Sequence, residues 1–184
     1  NATSQPYVTY TWKRAPSFCD IAIYNGTGSA KTVPHRLGVA PEMIWVKCIT
    51  RNENWCVYHK TLGATKFITL NSNTASATSS TRFNNTDPTD SVFSVGTDFE
   101  VNGSGEEYIA FLFSSLDGIS KVGTYQGDNS TSGQTIDCGF TSGSKFVLIK
   151  GDSSSYGQDW AVWDSVRGIV AGNDTRNHLN DNNA

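Results

Sequence analysis

Trp12, Trp45, Trp55, Trp160 and Trp163 are the side chains in this sequence with the most to offer a ligand. An indole presents a large apolar face and one polar edge, which suits it to stacking on a sugar ring or to anchoring a core. Trp55 and Trp160 head two similar stretches, Trp55-Cys56-Val57-Tyr58-His59 and Trp160-Ala161-Val162-Trp163-Asp164, and are expected to anchor cores. Trp163 stands where the first stretch has Tyr58, and it is the better candidate for a surface platform. Polar partners for a saccharide come from the polar turns and loops: Asn52 and Asn54, Asp128 and Asn129, and Tyr156. With Trp163 these form the candidate carbohydrate- or receptor-binding set.

Other chemistry is weakly supported. His59 is replaced by Asp164 in the second stretch and has no partner nucleophile nearby in sequence, so it makes a poor general base. Glu106-Glu107 and the pair Asp87/Asp90 sit at turns; paired carboxylates serve glycoside hydrolysis only at a defined separation in space, so solvated turns are the simpler reading. Asp128 to Gly133 alternates oxygen-bearing side chains as a calcium loop does, but lacks the closing Glu and the flanking helices. Cys19, Cys48, Cys56 and Cys138 show no zinc spacing. A hairpin turning symmetrically about Asn52 would set Cys48 opposite Cys56 within bridging range; free buried thiols are the favoured alternative. Asn1, Asn25, Asn84, Asn102, Asn129 and Asn173 head N-x-S/T triplets, which arise by chance in so Asn-, Ser- and Thr-rich a chain. No metal, cofactor or enzymatic activity is expected.

The elements that must position these residues are strands. The chain of 184 residues has 17% charged and 11% aromatic residues and a net charge of −3, with many polar turn formers. That profile fits an extracellular or virion β-protein. There is no basic patch for nucleic acid and no apolar run of membrane-spanning length. Met43 to Val46 and Phe146 to Ile149 are apolar on both faces and read as buried central strands. Tyr7 to Trp12, Cys19 to Tyr24 and Tyr108 to Phe113 read as further strands, and Ser91–Val95 and Asp98–Val101 as a pair around Gly96.

The chain also repeats itself at a spacing of about 100 residues, longer than solenoid periods. Tyr7, Tyr10 and Trp12 match Tyr108, Phe111 and Phe113; Tyr24 and Gly26 match Tyr125 and Gly127; Thr32–Lys47 matches Thr135–Lys150; Leu70-Asn71 matches Leu179-Asn180. The expected fold is therefore all-β, an antiparallel β-sandwich of jelly-roll or concanavalin-lectin type, in tandem copies. Residues 1–17 would be the last strand of a preceding copy or a linker, 18–117 a first sandwich, and 118–184 a second, incomplete one, within a longer parent chain. Residues 72–107 have no second version.

Several stretches in combination resemble a repeated module of structural proteins in tailed bacteriophages, notably marine and cyanobacterial phages. They are YTWKRAPSFCDIAIYNGTG, H-x-LGVAPEMIWVK, W-x-VYHKTLGAT and VNGSGEEYIAFLF, with KVGTYQG, CGFTSGSKFVLIK and DWAVWDSVRGIVAGND in the second copy. The resemblance implies a virion protein of the tail-fibre or adhesin kind, built of lectin-like β-sandwiches. It further implies a homo-oligomer, commonly a trimer, that contacts other virion proteins and host-surface polysaccharide, without nucleic acid or membrane. A capsid decoration protein and a free carbohydrate-binding module are the alternatives; a depolymerase ranks below both.

Overall fold

The computed structural model describes residues 9–152, 158–169 and 176–180. In chain order the elements are β1 (Cys19–Asn25), β2 (Lys31–Pro34), β3 (Met43–Cys48), β4 (Cys56–His59), β5 (Lys66–Thr69), β6 (Ala77–Thr78), β7 (Val92–Val95), the single helical turn α1 (Phe99–Asn102), β8 (Glu107–Phe113), β9 (Phe146–Lys150), β10 (Trp160–Asp164) and β11 (Asn177–His178). The strands form three antiparallel sheets. One has six strands in the order β1-β8-β3-β4-β5-β6, one has three in the order β11-β10-β9, and β2 pairs with β7. The fold is an all-β sandwich of packed antiparallel sheets.

Strand periodicity explains the layers. Side chains alternate across a pleated strand, so β3, β4 and β8 each send alternate residues to opposite faces. On one face Ile44, Val46, Cys56, Tyr58, Tyr108, Ala110 and Leu112 pack with Val33, Phe93, Val95 and Val101 of β2, β7 and α1. On the other, Trp45 and Val57, with Met43, Phe111 and Phe113, meet Trp160 and Leu148 of the three-stranded sheet. The six-stranded sheet is therefore covered on both sides, which is why Met43–Val46 of β3 is apolar throughout. Tyr24 of β1 lies opposite Tyr108 of β8, their rings stacked at 5.2 Å.

The two hairpins share a register. β3 and β4 pair Met43 with His59, Ile44 with Tyr58, Trp45 with Val57 and Val46 with Cys56. β9 and β10 pair Phe146 with Asp164, Val147 with Trp163, Leu148 with Val162 and Ile149 with Ala161, the residues that the sequence match equates. Their closing bonds match too. Trp55 N–H donates to Asn71 Oδ1 at 2.9 Å and Trp160 N–H to Asn180 Oδ1 at 2.7 Å. Leu70 N–H and Leu179 N–H donate to the Trp55 and Trp160 carbonyls, each at 3.0 Å.

Several expectations are corrected. β9 is the edge of its sheet and only half-buried, because the neighbour that β8 provides for β3 has no strand counterpart beside β9 among the described residues. Asp98–Val101 is no strand: Asp98 accepts a hydrogen bond from Glu100 N–H at 2.9 Å and caps α1, while β7 pairs with β2 instead. Thr9–Trp12 carries no strand pairing, and Tyr7 and Val8 lie outside the described residues. The β3–β4 register sets Val46, not Cys48, opposite Cys56, and all four cysteines are free.

Burial pushes the Cys19 and Cys56 thiols up, and Cys48 is as buried as they are, whereas Cys138 is half-exposed. A disulfide-exchange reagent added to the native protein at pH 8 is expected to titrate one thiol quickly, and all four only after denaturation. Rapid reaction of a second thiol would contradict this packing.

Candidate functional site

The sequence-predicted binding residues fall in three separate places. Asn52 and Asn54 are exposed in the β3–β4 turn. Asn54 is engaged structurally: its Nδ2 donates to Glu100 Oε1 at 3.1 Å, and its Oδ1 accepts from Asn71 Nδ2 at 2.9 Å. Asp128 and Asn129 lie in an exposed loop, where Asp128 Oδ1 accepts from Ser130 N–H at 2.9 Å and Asn129 takes a positive φ of 56°. Tyr156 lies outside the described residues. Trp163 is half-buried on β10, and among the described residues no hydrogen bond joins it to the other candidates.

What the structure does assemble around Trp163 is an apolar surface. Trp160, Val162 and Asp164 of β10 point inward and are buried, while Ala161 and Trp163 alternate outward. Trp163 pairs with Val147 and Ala161 with Ile149, so these four share the outer face of the three-stranded sheet. Their sequence counterparts, Tyr58, Ile44, Cys56 and Val46, form the core face of the six-stranded sheet. There the cover comes from β2, β7 and α1; over the second hairpin no corresponding strand layer is present among the described residues.

Trp160 takes the opposite role. It is 2% exposed and its Nε1 donates to the Thr69 carbonyl at 2.9 Å, joining the two sheets instead of anchoring a core of its own. Trp55, expected to be its twin, is half-buried against Phe111 at 6.2 Å.

Two clefts carry charged side chains. One of about 420 Å³ is lined by Arg14, Asp20, His35 and Arg36 together with Ile21, Ala22, Ile23 and Pro34. Burial pushes the Asp20 carboxyl up, but the Arg36 N–H at 2.7 Å and the Arg14 guanidinium together outweigh it and hold the group below its usual range. Burial lowers the pKa of His35, whose Nδ1 accepts from Leu37 N–H at 3.3 Å. The other cleft, of about 430 Å³, is lined by Ser115, Asp117, Ser120, Lys121, Asp137 and Cys138. Among the described residues no group of three metal-ligating side chains converges, and no helix is long and apolar enough to cross a membrane.

The exchange of His59 for Asp164 also has a structural account. Each caps the turn that follows its strand: His59 Nδ1 accepts from Thr61 N–H at 3.3 Å, and Asp164 Oδ1 from Val166 and Arg167 N–H, both at 2.9 Å. Asp164 also accepts from Tyr10 OH at 2.9 Å and from Arg167 Nε at 2.7 Å. The Arg167 backbone N–H leads these contacts in holding its carboxyl down to about 2. A carboxylate whose folded pKa lies below its unfolded value of about 3.9 stabilises the fold above that value and loses its contribution as pH falls toward the folded one. An NMR titration is expected to place Asp164 near 2, and Tyr10→Phe to raise it. A midpoint of about 4 in the unsubstituted protein would show these bonds absent in solution.

Sequence reasoning missed Asn71, Asn180 and Asn102 as architectural residues. The first two were signalled, since the same Leu-Asn pair follows each hairpin and an Asn or Asp precedes each Trp: Asn71 Nδ2 donates to Asn54, and Asn180 Nδ2 to Asp159 Oδ1 at 2.7 Å.

No curated protein and no solved structure matches the chain. One family model does, over residues 1–184, and it takes in the N-terminal segment, the six-stranded sheet and the second hairpin together. The chain belongs to the family described as Domain of unknown function (DUF7483).

Proposed function

We propose that this protein is a structural β-module of a tailed-bacteriophage virion, most simply a tail fibre or tail-associated segment, that packs against further copies and supports binding to the host surface. The observation that carries the reading is the outer face of the three-stranded sheet. Val147, Ile149, Ala161 and Trp163 occupy positions that form a closed core in the first hairpin, yet are only half-buried here. A face composed as a core favours a cover of the same kind, a strand layer of another copy of the module. The resemblance to phage structural modules supplies the setting, and a polar chain of low charge with many exposed loops suits the outside of a particle.

Light scattering at increasing concentration tests the face, with Trp163→Glu as the variant. The expected result is a concentration-dependent oligomer that the substitution reduces to monomer without change in circular dichroism. A wild-type protein that stays monomeric at high concentration would overturn the packing argument. Electron cryomicroscopy of the particle tests the setting: density in a tail appendage supports the fibre, and density over the icosahedral head replaces it with a decoration protein.

A second reading, a carbohydrate-binding module, draws on the same half-exposed Trp163 ring. It differs in demanding glycan-array binding that Trp163→Ala abolishes.

A further inference from the structure

We infer that the open edge of β9 is a strand-acceptor site, and that the strand it takes is this chain's own N-terminal segment, Thr9–Trp12.

The inference starts from what β3 has and β9 lacks. β3 lies between β4 and β8, and its pairs with β8 include Met43 with Phe113, Trp45 with Phe111 and Val46 with Ala110. β9 is the counterpart of β3 and, among the described residues, pairs on one side only, with β10. An unpaired edge strand exposes a row of backbone donors and acceptors and invites another strand. The strand that would fit is one of β8 type. The chain carries a second such sequence at its start, where Tyr10 and Trp12 match Phe111 and Phe113.

The side chain of Trp12 already lies at the position this predicts, and Tyr10 packs diagonally beside it. Phe113 lies across from Met43; the counterparts are Trp12 and Phe146, whose rings meet edge-on at 5.6 Å. Tyr10 meets Phe146 at 5.0 Å. Trp12 also packs on Trp45 at 6.3 Å and Phe113 at 6.0 Å, so it enters the layer between the two sheets from the β9 side. A polar latch fixes the segment from β10. The Tyr10 hydroxyl donates to Asp164 Oδ2 at 2.9 Å and accepts from Arg167 Nη2 at 2.8 Å, and Asp164 is 3% exposed. Four aromatic contacts and two hydrogen bonds thus hold a β8-type sequence beside an edge built like that of β3, and the inferred backbone pairing would complete the match. The β9–β10–β11 sheet becomes four-stranded, with Thr9–Trp12 as its added edge strand.

The register follows from the equivalence: Trp12 opposite Phe146 sets Thr11 opposite Val147. These residues alternate away from the aromatic layer, so both can be changed without touching Tyr10 or Trp12. Directly opposed residues on antiparallel neighbours have Cα atoms about 4.5–5.5 Å apart, within disulfide range. The full chain carrying Thr11→Cys, Val147→Cys and Cys138→Ser, mildly oxidised at low concentration, is expected to form one reducible cross-link within a monomer. Moving the second cysteine to Ile149→Cys should lower the yield severalfold. A cross-linked dimer would assign the strand to a second copy and overturn the inference, as would equal yields in both registers or no cross-link at all. Hydrogen exchange gives an independent reading that does not rely on introduced cysteines. Trp12→Ala is expected to raise exchange of the edge-facing β9 amides by about tenfold or more while leaving β3 amides unchanged. Unchanged β9 exchange would mean that the segment does not cover the edge.

Discussion

Trp160→Ala is expected to lower stability by about 3–5 kcal/mol, seen as a fall in thermal midpoint of about 10 °C and an earlier urea transition. The side chain is 2% exposed and lies among Trp45, Val57, Ile68 and Leu70 of the six-stranded sheet. Truncation removes a whole indole from that layer and leaves a cavity between two sheets, neither of which can close it alone. It also leaves the Thr69 carbonyl without its indole donor. Trp163→Ala, three residues on and facing outward, is expected to cost less than about 1 kcal/mol in the monomer. Equal losses from the two substitutions would contradict the assignment of one tryptophan to the inter-sheet layer and the other to a surface. The contrast also isolates the surface role, since Trp163 variants that lose self-association should keep their thermal midpoint.

Asn102→Ala is expected to cost about 3 kcal/mol or more, the sum of three backbone groups left without a side-chain partner. Asn102 is fully buried, although it heads an N-x-S triplet that sequence alone would offer to a glycosyltransferase. Its Oδ1 accepts from Thr27 N–H at 2.9 Å, and its Nδ2 donates to the carbonyls of Ser29 at 2.7 Å and Gly96 at 2.6 Å. One amide thus ties the β1–β2 turn to the segment after β7 and to the end of α1. Asn102→Asp distinguishes this account from simple loss of volume. The carboxylate keeps an acceptor for Thr27 but aims a buried negative charge at two carbonyl oxygens, so it should destabilise at least as much as Ala. Denaturant titration of an Asp variant as stable as the natural protein would sink the assignment. Two neighbouring contacts reinforce the rigidity of this corner: Gly26 N–H donates to the Glu106 carbonyl at 2.7 Å, and a Cβ placed on Gly26 would lie 2.0 Å from the Gly103 carbonyl oxygen.

By itself the sequence determined the all-β class and the strands of the two hairpins, since side-chain alternation and apolar runs are local signals. Met43–Val46 reads as central because its residues are apolar on both faces, and it lies between β4 and β8 with both faces covered. The match of Trp55–His59 to Trp160–Asp164 anticipated two hairpins of the same register, because a one-residue slip would have turned each apolar set to the wrong face. Only the tertiary structure decided what those strands meet. Phe146–Ile149 is as apolar as Met43–Val46, yet β9 stands at an edge, since a strand's neighbours are set by segments far along the chain. Two tryptophans equivalent in sequence parted for the same reason: Trp160 is buried between the sheets with its indole bonded to the Thr69 carbonyl, and Trp55, packed against the same cluster, stays half-buried. Asn102 read as one chance triplet among six because nothing in Asn-Gly-Ser shows that Thr27, Ser29 and Gly96 converge on it. Local chemistry chose the elements; the long-range packing of sheets chose which residues are core, latch or open surface.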